Sequence, residues 1–163
     1  EHVEQNIWKV DIDNQFFNHF NPFDTKLFGD WLVVDNNKTL GQVYINGQAL
    51  FEVNDFDSLK NPQPIHETLD HWTNKQVSFD YTDESVYVWH ADVQEDHTTI
   101  YANFQDYDPN NETIEINVRE NVFAPVKTHT NYITIQYFEI AHGATQWSPP
   151  TAKQTGIIDT NWI

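Results

Sequence analysis

Three stretches of this 163-residue chain gather side chains that could do chemistry. The first, "HFNPFDTKLFGDW" at 19–31, holds His19, Asn21, Asp30 and Trp31. The second, "HETLDHW" at 66–72, holds His66, Asp70 and His71. The third, "FEIAHGATQWSPPTA" at 138–152, holds Glu139, His142, Gln146 and Trp147. A tryptophan face with hydrogen-bonding groups beside it suits a sugar, whose axial C–H surface is apolar and whose hydroxyls need partners. Trp31 beside Asp30 has that make-up, and so does Trp147 beside Gln146 with His142 five residues earlier.

Each cluster also has a plainer reading. Large rings are usually mostly buried, which would make Trp147 a core residue. Its neighbours Thr145, Gln146 and Ser148 are polar or small, and Pro149 and Pro150 stiffen the chain after it, which favours a presented face. His66 and Asp70 stand at i, i+4, a spacing that metal sites use on a helix. Pro62 and Pro64 precede them and no third ligand is evident, so solvated loop residues are expected there, with no metal and no cofactor. Glycoside hydrolysis needs two carboxyls, about 5–5.5 Å apart for retention or about 6.5–9.5 Å for inversion. Asp30, Glu52, Asp70 and Glu139 are candidates, but nothing in the sequence pairs them.

Composition narrows the ligand. Eight Lys+Arg against 25 Asp+Glu leave a formal charge of −17. Such a surface repels phosphate backbones, so no nucleic-acid partner is expected. A uronate polymer is disfavoured for the same reason unless calcium bridges the charges, and a neutral ligand fits better. No apolar run approaches the length of a membrane span, and no basic segment followed by an apolar one opens the chain. With no cysteine there is neither a disulfide framework nor a thiolate metal site. The chain also lacks methionine, opens on "EHVEQNIWKV" and closes on "DTNWI", and we expect it to be a piece of a longer polypeptide.

The elements that must position these residues read as β. Aromatics make up 15% of the chain, and Val, Ile, Thr and Tyr recur in short runs. "NIWKVDI" (6–12) alternates as a half-buried strand, and "NQFFNHFNPFD" (14–24) is a loop dense in rings. "GQVYINGQALFEV" (41–53) is a hairpin around Asn46-Gly47, the dipeptide that supplies the positive φ values of a type I′ turn. Residues 54–75 hold at most a helical turn at "FDSLK" and another at "ETLDHW". Strands resume at "QVSFDY", "SVYVWHADV", "TTIYANF" and "TIEINV" (76–118), a spacing that suggests an antiparallel sandwich. Beyond it, "YITIQYF" (132–138) reads as a strand with a bend, and Ile116 and Ile135 stand nineteen positions apart. That spacing fits one rung of a parallel β-helix, and it fits two sequential sandwich strands as well.

Taken together, "FNPFDTKLFGDWLVV", "LGQVYINGQALFEV", "LDHWTN", "TTIYANFQDYDPNNETIEINVR" and "NYITIQYFEIAHGATQWSPPTA" resemble glycoside hydrolase family 120, the β-xylosidases. The likeness is collinear from about Ile7 to Trp162. It implies an all-β fold: an antiparallel β-sandwich over 1–118, followed by the start of a right-handed parallel β-helix over 119–163. It also implies a retaining enzyme that takes xylose from xylo-oligosaccharides, with an aspartate nucleophile and a glutamate acid/base on later rungs outside this chain. By matching position Trp31 in "GDW" would contact sugar, followed by His142 and Trp147. The family's "NWSKGW" pattern is cut to "NWI" here, and this chain by itself is expected to be inert. Its implied partners are a neutral sugar and the remainder of the β-helix. Three rivals stand: a stand-alone carbohydrate-binding module, a structural domain whose exposed rings join copies of the chain into a homo-oligomer, and a polyanion lyase, which the single arginine, Arg119, counts against unless calcium compensates.

Overall fold

The computed structural model describes residues 1–27, 37–127, 129, 131–146 and 156–159. Among these the secondary structure is mostly strand, in sheets of five, three and two strands, with a single five-residue α-helix. The chain divides into two compact units. Unit 1 comprises Glu1–Ile12 and Val43–Glu115, and unit 2 comprises Asp13–Gln42 and Ile116–Ile163.

In unit 1 the five-stranded sheet runs in the order β1 (His2–Glu4), β2 (Ile7–Asp13), β9 (His97–Asn103), β8 (Val88–Val93), β5 (Phe51–Glu52). Its centre is the antiparallel pair β8–β9, in register from Val88↔Asn103 to Val93↔Thr98. Trp89 on β8 is fully buried, as are Ile7 and Leu59, and Phe51, Val53, Phe56 and Tyr101 pack on the cluster that Ile7 and Leu59 form with Val88. The expected hairpin is present. β3 (Val43–Ile45) and β4 (Gln48–Ala49) pair as Ile45↔Gln48, with Asn46 at φ 51° and Gly47 at φ 82°. The Asn46 side chain donates to Glu112 Oε2 (2.7 Å) and accepts from Thr113 N (3.1 Å), which ties the turn to the approach to β10 (Ile114–Ile116).

The second arm of that hairpin departs from the sequence reading. After Leu50 it leaves the three-stranded sheet β10–β3–β4, and Phe51 and Glu52 pair parallel with Val88 and Trp89. One apolar run therefore serves two sheets, which lets both of its faces be covered. The turn at "FDSLK" is helix α1 (Phe56–Lys60). Asp55 caps it by accepting from Ser58 N and Ser58 Oγ, and Pro62 biases Asn61 away from helical geometry at its end. "ETLDHW" is not a helical turn. Its first residues form β6 (Glu67–Asp70), paired with β7 (Lys75–Ser78), because Asp70 turns the chain back by accepting from Trp72 N (2.9 Å) and from the Thr73 hydroxyl.

Unit 2 has little regular structure among its described residues. Asp13 caps a 3₁₀ turn over Asn14–Phe17, and Phe17 and Phe23 are buried with their centroids 5.8 Å apart. Gly41 lies under the Phe23 ring, where a Cβ would come within 2.4 Å of Cδ1. Buried Asn117 donates to Leu40 O (2.6 Å) and accepts from Gln42 N (2.8 Å). Phe123 and Ile158 form a parallel bridge thirty-five positions apart, with Asp159 N bonded to Phe123 O (2.9 Å). The strand expected over 132–138 is absent: Tyr132 and Tyr137 both sit at φ 64°, which interrupts an extended run, and both are fully exposed. Alternation can mark a strand but cannot supply the neighbour that its backbone must bond.

Candidate functional site

The predicted sugar contacts fall in unit 2, within 13–42 and 116–163. Asp30, Trp31 and Trp147 lie outside the described residues. What is described is the frame on either side of them. Segments 25–27 and 38–40 run antiparallel, with a bridge at Lys26↔Thr39 and bonds from Leu27 N to Lys38 O and from Leu40 N to Thr25 O, both 2.9 Å. This ladder is the stem of the stretch that carries Asp30 and Trp31. Thr25 is fixed in turn by its hydroxyl, which donates to Asn21 O (2.7 Å). The ring-rich loop at 14–24 therefore anchors the stem through buried Phe17 and Phe23 and this turn.

Gln146 links the first sequence cluster to the third. Its side chain is 6% exposed, and Nε2 donates to Lys26 O (3.1 Å), on the stem itself. A buried amide held on a backbone carbonyl sets position, so Gln146 registers the segment leading to Trp147 against the stem leading to Trp31. Two residues earlier Ala144 is buried and its N–H donates to Arg119 O (2.8 Å). Between these anchors Gly143 passes close to Ile157, where a Cβ would stand 2.7 Å from Cγ1, so only glycine fits without displacing that side chain. His142 precedes it, half-buried, at φ 60°. A left-handed histidine costs conformational energy and persists where the surroundings hold it. Here the tight passage at Gly143 and the bond at Ala144 do so.

The other candidates are not drawn in. Glu139 is exposed. The Asp70 carboxylate closes the β6–β7 turn, and its hydrogen bonds from the Thr73 hydroxyl and then Trp72 N hold its pKa below the ordinary carboxylate value. His66 and Asp70 are four residues apart along extended chain, roughly 13 Å, instead of one helical turn. Among the described residues no three His, Asp or Glu side chains cluster as a metal site would require. Sequence reasoning missed the stem at 25–27 and 38–40 and the part Gln146 plays on it. The available signal was the density of Phe and Pro at 16–23, a buried anchor where a polar loop would have none.

The arrangement holds the segment ending at Gln146 against the stem at 25–27 and 38–40, with half-buried His142 four residues before that anchor. Among known proteins, the family model for the glycoside hydrolase 120 insertion domain matches residues 1–116. The solved complex of XylC with xylose is 50% identical and superposes with a TM-score of 0.92. That match covers 99% of this chain and 26% of the XylC chain, so the chain spans about a quarter of the length of that structure. No curated protein matches. A family match over most of the chain and half of its residues shared with a structure of the same shape leave one assignment: the chain belongs to the glycoside hydrolase 120 insertion-domain family.

Proposed function

We propose that this chain is the pocket-forming β-sandwich portion of a retaining β-xylosidase-like glycoside hydrolase acting on xylo-oligosaccharides. The observation that carries the reading is the 50% identity, over nearly the whole chain, to a protein solved with xylose. In this reading 1–118 is the inserted sandwich and 119–163 is the first returning rung of a right-handed parallel β-helix. The parallel pairing of Phe123 with Ile158 is the kind of contact successive rungs make, and it supports the second assignment. So do the bare rings of Tyr132, Tyr137 and Phe138, which the remaining β-helix would cover.

Trp31 stacks on the sugar ring, Asp30 takes a hydroxyl, and His142 and Trp147 complete the wall, with Gln146 holding the two segments in register. Hydrolysis follows double displacement. A carboxylate attacks the anomeric carbon as the leaving oxygen is protonated, and water then releases the xylosyl ester with the acid/base residue taking its proton. Both carboxylates belong to polypeptide beyond this chain.

Two measurements test the reading. Trp31→Ala in the polypeptide that contains this segment should lower kcat/KM on xylobiose by about 30-fold, the loss of roughly 2 kcal/mol. Residues 1–163 alone should release no xylose from an aryl xyloside, and turnover at an enzymic rate would overturn the assignment of the carboxylates. Micromolar affinity of the isolated chain for xylo-oligosaccharides that Trp31→Ala abolishes would instead favour a free-standing binding module.

A further inference from the structure

Unit 1 holds a cleft of about 240 Å³ that none of the three sequence clusters touches. Asn46 and Gln48 reach it from the β3–β4 hairpin, Asp83 and Glu84 from the chain before β8, and Tyr87 and Tyr107 complete the lining around buried Ile45. The two phenol rings stand with centroids 6.0 Å apart at 43°, splayed instead of stacked flat. Asn46 is occupied by Glu112 and Thr113. By contrast, the side-chain polar groups of Gln48, Asp83, Glu84 and both tyrosines make no hydrogen bond among the described residues.

This combination selects a ligand class. Two carboxylates and no cation line the cleft, so an anion is repelled. The carboxylates and the Gln48 amide can take several neighbouring hydroxyls, and the tyrosine faces suit an apolar C–H surface. Burial, then Tyr107 and Asp106, raise the Tyr87 pKa, which keeps its phenol a neutral donor and acceptor at neutral pH. The volume lies below the roughly 300–1,000 Å³ of drug-sized ligand sites, which suits one ring and excludes a chain. We propose that this cleft binds a single neutral pyranose, with Tyr87 and Tyr107 against its C–H face and Gln48, Asp83 and Glu84 on its hydroxyls. The proposal uses none of the residues assigned to sugar contact above and stands or falls separately.

The test is a residue-resolved titration of the ¹⁵N-labelled 163-residue chain with methyl β-D-xylopyranoside, D-glucuronate and calcium chloride as separate probes. The xyloside should move the amides of Gln48, Glu84, Tyr87 and Tyr107 in a saturating manner, and glucuronate should not. Tyr107→Ala and Gln48→Ala, both at exposed positions, should weaken binding roughly tenfold, and Tyr107→Phe should keep most of it. The proposal is overturned if these amides stay still, if glucuronate moves them equally, or if calcium alone does so. Shifts confined to His142 and Gln146 would overturn it while leaving the xylosidase reading intact.

Discussion

At the scale of single residues, the buried amides decide what unit 2 can hold. Asn117 serves two backbone groups far from it in the chain, Leu40 O and Gln42 N. Asn117→Ala removes both bonds. An orphaned buried group costs about 1–3 kcal/mol, so the urea midpoint should fall by a corresponding amount with the slope unchanged. Titrating groups act with opposite signs. Hydrogen bonds from Thr99 and then Lys9 lower Asp11, and those from Ser58 lower Asp55, from the ordinary 3.8. Their stabilisation is whole above that value and is lost as pH falls from it through their lower folded values. His97, raised from 6.5 by its bond to Asp96, stabilises below 6.5 and stops doing so as pH rises through its higher folded value. Melting temperature against pH should thus decline at both ends, and His97→Gln should remove the neutral component and also the part of the acid one that Asp96 owes to its bond with His97.

At the scale of elements, the β3–β4 hairpin and α1 were legible because their determinants are local. Asn46-Gly47 supplies two positive φ values, and Asp55 stands three residues before the Ser58 N–H that it caps. Nothing lies within 4 Å of a Cβ placed on Gly47, so any penalty there is one of backbone conformation alone. Gly47→Val should cost about 1–3 kcal/mol and Gly47→Asn much less, measured by chemical denaturation. Leu59→Ala, on the fully buried side of α1, should cost about 2–5 kcal/mol. Other elements were not legible. "LFEV" has the same alternation whether it continues the hairpin or crosses to pair with β8. "ETLDHW" has helix-compatible spacing, but its Asp70 closes a strand turn, and its Trp72 stands 92% exposed at the tip.

For the whole molecule the dominant long-range term is the charge of −17. Like charges oppose compaction, and salt screens them over a Debye length of about 10 Å at 0.1 M. Melting temperature should therefore rise as sodium chloride goes from about 10 mM to about 150 mM. No rise would mean that the carboxylates are spaced too widely to repel one another.

Residue order alone determined the β class, the Asn46-Gly47 turn, the helix at "FDSLK", the acidic surface and the family resemblance. Each of these is set by neighbours within a few positions or by composition. Tertiary structure decided the sheet change after Leu50, the parallel contact of Phe123 with Ile158, the exposure of the "YITIQYF" rings and the burial of Gln146 on Lys26. Such pairings are chosen by which distant backbone groups and apolar faces can satisfy each other at once, and local alternation is the same for every partner a segment could take.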